Sequence, residues 1–249
     1  MRHSRVRLSL AIIAILVSTT VHAQTASRKL TEDERLRTDW ADLHRYAADN
    51  ARLEAPAPGE QRVVFMGNSI TELWMTLDSS FFAGHPWVNR GISGQTTPQM
   101  LVRFRQDVID LHPSVVVILG GVNDLAENTG PTTLDAIFGN IVSMAELARA
   151  NGIAVVVSSV LPAASFRWRP GLEPAPQIVA LNAMLHAYAV DHHLVYVDYH
   201  AAMDDGHGGL RGDLTEDGVH PNLAGYRVME PLAARAIAAA LGAAASSGR

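Results

Sequence analysis

Cysteine is absent from the 249 residues. That excludes a disulfide framework, a thiolate metal centre and a cysteine nucleophile. Aromatic residues are scarce at 6% and charged ones reach only 18%, against 48% hydrophobic. A disordered chain does not have that balance, and the length suits one large domain with an aliphatic core. No long basic stretch occurs, and the formal charge is −5. Nucleic acid and anionic membrane are therefore excluded as the main partners.

The N-terminal apolar run, Leu8 to Val17 and broken only by Ser9, falls short of the ~20 residues of a bilayer span. Arg2, Arg5 and Arg7 precede it, and Val21-His22-Ala23 offers small residues where a signal peptidase reads. Residues 1–23 thus read as a leader cleaved after Ala23, giving a periplasmic or secreted protein; the competing reading is an N-terminal anchor. Removing the leader takes three arginines and no acid. It leaves 17 basic against 25 acidic residues, a charge of −8.

Residues 31–53 are expected to form a helix, with Thr31 and Glu34 as a capping box and Leu36, Trp40, Leu43 and Ala47 on one face. Ala55-Pro-Ala-Pro-Gly59 closes it as a linker. Residues 24–60 are then an N-terminal helix and linker belonging to the domain over 61–249. Apolar runs follow at Val63–Met66, Trp87–Asn89, Val115–Leu119, Ile153–Val157 and Leu194–Val197, each a candidate strand. Helical stripes lie between them: Leu101, Phe104, Val108 and Leu111; Leu134, Ile137, Ile141 and Met144; Ile178, Leu181, Leu185 and Tyr188. A last helix is expected over about 222–241. Repeated strand–helix alternation implies a parallel sheet covered on both faces, an α/β fold with ligands bound beyond the carboxyl ends of its strands.

Polar clusters fall at those ends. Gly67-Asn68-Ser69-Ile70-Thr71 follows the first strand and Asn89-Arg-Gly-Ile-Ser-Gly94-Gln-Thr96 the second. Gly120-Gly-Val-Asn123-Asp124 follows the third, and Asp217-Gly-Val-His220-Pro221 precedes the last helix. Acyl transfer through a serine needs an adjacent base near neutral pKa, a carboxylate to orient that base, and donors facing the nascent oxyanion. Ser69, His220 and Asp217 fill the first three roles; the three-residue spacing lets the carboxylate reach back to the ring Nδ1. The N–H groups of Ser69 and Gly94 and the amide of Asn123 fill the fourth. Each residue alone has an ordinary explanation: an N-cap serine, a turn glycine, a loop asparagine, a surface acid or a packed histidine. Their coincidence at four separate loops favours the catalytic reading.

These four blocks resemble those of the SGNH, or GDSL-type, hydrolase superfamily, in order and over about residues 60–240. The wording from Gly67 to Glu72 and from Val88 to Thr97 is similar to the bacterial branch related to platelet-activating-factor acetylhydrolase subunits, which includes esterases that deacetylate sugars. The resemblance implies a flavodoxin-like three-layer α/β/α sandwich with five parallel strands. It also implies the roles given above for Ser69, Gly94, Asn123, Asp217 and His220, and no cofactor. Asn68 departs from the Asp that commonly precedes the serine, losing a charge but keeping an acceptor.

The expected activity is hydrolysis of short acyl esters, acetyl esters of carbohydrates such as acetylated xylan in particular. The expected partner is a small-molecule or oligosaccharide ester. A lysophospholipase or thioesterase, or a non-catalytic glycan-binding domain on the same scaffold, are the alternatives. Asn68, Arg90, Arg167 and Trp168 are candidate substrate contacts. Asp124 reads as structural and Trp74 as core. His200, Asp204, Asp205 and His207 have ligand chemistry but no metal-site spacing, so no metal is expected.

Overall fold

The computed structural model describes Glu34 and residues 37–247. The leader and the proposed Thr31 cap lie outside the described residues. Five strands, β1 (Val63–Gly67), β2 (Trp87–Gly91), β3 (Val115–Leu119), β4 (Ala154–Ser158) and β5 (Val195–Val197), form one wholly parallel sheet in the order β2-β1-β3-β4-β5. All five residues of β1 and of β3 are buried, as both faces of a covered parallel sheet require. The helices are α1 (Ala47–Arg52), α2 (Ser69–Leu77), α3 (Thr97–Asp107), α4 (Val122–Leu125), α5 (Leu134–Ala150), α6 (Ala175–Asp191), α7 (Tyr199–Met203) and α8 (Leu223–Ser247).

This is a three-layer α/β/α sandwich. Helices α2 and α8 lie on one face of the sheet, and α3, α5 and α6 on the other. Trp74 in α2 stacks on Phe81 at 4.8 Å and on Tyr226 of α8 at 5.4 Å, and is only 2% exposed. Helix α8 is long and apolar enough to cross a membrane by composition alone. Its Tyr226, Met229, Ala233, Ile237 and Ala240 are buried in the core instead.

The expected helix over 31–53 is broken. The Asp39 carboxylate accepts the N–H groups of Leu43 (2.8 Å) and His44 (3.1 Å), Asp42 adopts φ 53°, and the helix seen at Glu34, Arg37 and Thr38 stops there and resumes only at Ala47. Side-chain capping of this kind competes with helix continuation. Ala41 and Tyr46 are buried, whereas Trp40 and Ala47 of the predicted stripe are exposed. The segment is fastened to the sheet layer by glutamines. Gln99, Gln95 and Gln106 each donate a side-chain N–H, at 2.7 Å, to the carbonyls of Trp40, Ala41 and Leu43 respectively.

Strand order reverses between β1 and β3, so the chain leaves the sheet in opposite directions there and a crevice opens beyond their carboxyl ends. The loops after β1, β2 and β3 all end at this rim.

Candidate active site

The turn after β1 is dictated by packing. A Cβ on Gly67 would lie 2.0 Å from Thr71 Oγ1, so only glycine fits where the strand meets α2. Asn68 then caps α2, its Oδ1 accepting the Ile70 N–H at 3.2 Å. Ser69 opens the helix, with its hydroxyl 2.8 Å from His220 Nε2. The two residues are 151 positions apart in sequence.

On the far side of the imidazole, Nδ1 lies 2.7 Å from Asp217 Oδ2. The other carboxylate oxygen accepts the backbone N–H groups of Val219 (2.9 Å) and His220 (2.8 Å). Burial would raise the Asp217 carboxyl. The bonds from the His220 ring and the two amides outweigh it and bring the carboxyl down to about 2, so it is ionised at neutral pH. Thr215 braces the turn: its hydroxyl donates to the His220 carbonyl at 2.7 Å and accepts the Gly218 N–H at 3.0 Å. Gly218 sits at φ 85°, where a side chain would be strained. Asn222 secures the following helix by accepting the Gly225 N–H.

The second and third loops bring Gly94 and Asn123 to the same rim. Gly94 adopts φ 77°. Neither the Ser69 nor the Gly94 amide donates to another group among the described residues. Asn123 is 4% exposed and gives one amide hydrogen to the Gln95 carbonyl at 3.0 Å, leaving its second for a ligand. Glu72 holds the loop from outside by accepting both the N–H (2.8 Å) and the hydroxyl (2.6 Å) of Ser93. Asp124 faces away from the rim. Its carboxylate accepts the Thr97 N–H at the start of α3 and the Thr97 hydroxyl at 2.6 Å, and burial raises its carboxyl to about 6.

Of the four expected substrate contacts, the structure brings only Trp168 to the rim. Its ring lies 6.4 Å from that of His220, and its Nε1 donates to Asn128 Oδ1 at 3.1 Å. Arg90 is a correction: it is 7% exposed, lies over the Tyr46 ring at 4.6 Å and donates to Asn50 Oδ1 at 2.9 Å, beneath the N-terminal segment. Arg167 donates to the Glu216 carbonyl at 3.1 Å, supporting the histidine loop instead of facing the crevice. Asn68 is 1% exposed, and its Nδ2 is buried without a partner. The Asp204 and Asp205 carboxylates are spent on local turns, accepting the N–H groups of Gly208, His207 and Gly209.

Two residues here escaped the sequence reading. Asn128 joins the rim from two sides, donating to the Gly94 carbonyl at 3.3 Å while accepting from Trp168. The run Glu127-Asn-Thr-Gly130 carries a turn signal and nothing more. Arg103 is fully buried inside α3. It donates to Gly67 O (2.8 Å), Arg90 O (2.9 Å) and Gln95 Oε1 (2.5 Å), and pairs with Asp107 at 3.0 Å.

A parallel sandwich with a hydroxyl, an imidazole and a carboxylate aligned beyond its strand ends has the layout of a hydrolase. Residues 65–228 match the model of the GDSL-like lipase/acylhydrolase family, and the chain belongs to that family. It is 50% identical to a GDSL-like lipase of Bacteroides thetaiotaomicron, with a TM-score of 0.79 over 81% of this chain and 100% of that one. It is 29% identical to Esterase TesA of Pseudomonas aeruginosa over 67% of this chain and 78% of the relative. It shares a fold, at a TM-score of 0.57 and 20% identity, with the acetylxylan esterase Axe2 of Geobacillus stearothermophilus, over 71% of this chain and 94% of that one.

Proposed function

We propose that the chain is an exported serine esterase that removes short acyl groups, acetyl in particular, from carbohydrate esters. The observation that carries the reading is the 2.8 Å approach of Ser69 Oγ to His220 Nε2, with Asp217 2.7 Å behind the same ring. Ser69 Oγ attacks the ester carbonyl as its proton passes to His220 Nε2. The oxyanion is met by the N–H groups of Ser69 and Gly94 and the free amide hydrogen of Asn123. His220 returns the proton to the departing alkoxide, and the C–O bond to the alcohol breaks. Water, deprotonated by the same imidazole, then attacks the acyl-serine, releasing the carboxylic acid and restoring the hydroxyl. Asp217, ionised throughout, fixes the ring tautomer and stabilises the imidazolium.

Short acyl groups are favoured by the fold shared with the acetylxylan esterase, and the crevice beside Gly94, lined in part by Ser93, Gln95, Gln99, Asn128 and Thr129, offers polar groups to the alcohol half. Carbohydrate is favoured by the same lining and by the fold shared with an acetylxylan esterase. Export rests on Arg2, Arg5, Arg7, the Leu8–Val17 run and the Val21-His22-Ala23 cleavage motif.

The test is Ser69→Ala assayed on p-nitrophenyl acetate. Turnover should fall by on the order of 10⁶ with melting temperature retained. Near-normal turnover would remove the serine mechanism. Acetyl, butyryl and octanoyl esters compared on the intact protein should show declining kcat/KM with length; a rise towards octanoyl would favour a lipase.

A further inference from the structure

The N-terminal segment, read from sequence as a helix and linker, contributes to the wall of the crevice. A cleft of about 310 Å³ adjoins the Gly94 loop, and Trp40, Gln99, Asn128 and Trp168 are among its lining residues. The volume is at the low end of small-molecule sites, ~300–1,000 Å³. Both tryptophans are substantially exposed, Trp40 by 39% and Trp168 by 42%. In a chain with 4 tryptophans and an aliphatic core, two left open to solvent in one cleft call for an explanation.

Trp40 is anchored at its backbone and Trp168 through its ring. The Trp40 carbonyl takes the Gln99 side-chain N–H at 2.7 Å, and the neighbouring Ala41 carbonyl takes that of Gln95. Trp168 is fixed through its indole N–H to Asn128, which also bonds the Gly94 carbonyl. An indole held by its own N–H, as that of Trp168 is, loses little conformational freedom when a ligand arrives.

Direction follows from the chemistry. The departing alcohol must take its proton from His220 Nε2, so it lies on the imidazole side of the acyl group. Trp168 is the aromatic neighbour of that imidazole, 6.4 Å away ring to ring, and it also lines the cleft. The alcohol half of the ester, rather than the acyl half, therefore extends into the cleft. An occupant of this site should carry C–H faces for the rings and hydroxyls for the surrounding amides, the combination a pyranose presents.

Resting on the esterase reading above, we propose that Trp40 and Trp168 form a sugar-binding subsite for the alcohol moiety, with Trp40 and Asp42 of the N-terminal segment on one of its walls. Trp40 is thus a specificity residue lying outside the four sequence blocks.

The experiment compares an acetylated xylo-oligosaccharide with ethyl acetate, whose alcohol is too small to reach the cleft. Trp40→Ala should lower the ratio of kcat/KM for the sugar ester to that for ethyl acetate about tenfold, mainly through KM. Trp40→Phe should restore most of the ratio. Because the Trp40 side chain is partly exposed, the substitution opens no core cavity; melting temperature checks this. Should Trp40→Ala prove unstable, an unchanged ratio in Trp40→Leu would overturn the subsite equally. An unchanged ratio in folded Trp40→Ala, or an intact protein that cleaves ethyl acetate but no sugar ester, overturns the subsite and leaves the esterase standing. An intact protein that cleaves neither ester overturns both.

Discussion

The two ends of the sheet each carry a cavity, and they differ in kind. At the amino ends of β4 and β5, a hollow of about 500 Å³ is lined by Ile153, Val155, Leu194 and Ala240 with Arg149 and His192 at its edge. It is larger than the cleft beside Gly94, yet no serine or carboxylate lines it. At the carboxyl ends, three loops and the histidine turn bring donors, acceptors and a hydroxyl together around a smaller space. Volume therefore does not mark the site in this molecule. What does is the geometry of parallel strands, which point successive chain ends, and the first turns of the following helices, to one rim.

If that distinction holds, disturbing the carboxyl end should cost rate, and disturbing the amino end should cost only stability. After the loss expected at Ser69, the largest effect falls at Asp217. Asp217→Asn should lower kcat on p-nitrophenyl acetate by about 10⁴, since an amide favours the wrong ring tautomer; a loss under tenfold would deny it the orienting role. Asn123→Ala should lower kcat by about 10²–10³, the usual result of losing one oxyanion donor, and steady-state kinetics would detect it.

Asp124 sharpens the contrast from beside the rim, because its carboxylate supports α3 without facing substrate. Its carboxyl is raised to about 6 in the fold. The native state therefore holds a proton that the unfolded chain releases nearer pH 4, and stability from this group is lost as pH rises between about 4 and 6. Denaturant titrations should show the protein losing on the order of 3 kcal/mol relative to Asp124→Asn across that window. Parallel curves would refute the assignment. The smallest effect belongs to the amino end: Val155→Ala should cost about 2 kcal/mol of stability with kcat per folded molecule unchanged. A matching loss of rate would break the comparison.

Much of the fold was legible because both-face burial writes itself as unbroken apolar runs. Val115–Leu119 was located to the residue, and the other strands to within a residue or two at each end. Ser69, Gly94, Asn123, Asp217 and His220 were legible as motifs because each sits just past a strand or before a helix, where the local sequence alone sets the turn. The misses share a different cause. Arg90, expected as a substrate contact, and Arg103, which no motif singles out, are both buried by partners distant in sequence: Tyr46 and Asn50 for one, the Gly67 and Arg90 carbonyls for the other. The helix over 31–53 failed where one Asp39 side chain outcompeted the periodic pattern. Trp40 followed it, its place in the cleft being fixed by glutamines some 60 residues on. Local patterns carry no record of such long-range hydrogen bonding.

The buried Arg103 guanidinium has a consequence for motion. One side chain holds the last carbonyl of β1, the next-to-last carbonyl of the neighbouring β2 and the glutamine beside the glycine loop. Segments that share a fastening cannot fray one at a time, so the nucleophile turn and the glycine loop should open as a single cooperative unit, and their slowly exchanging amides should exchange with a common free energy. A site tied together in this way gains its precision from the least flexible part of the domain.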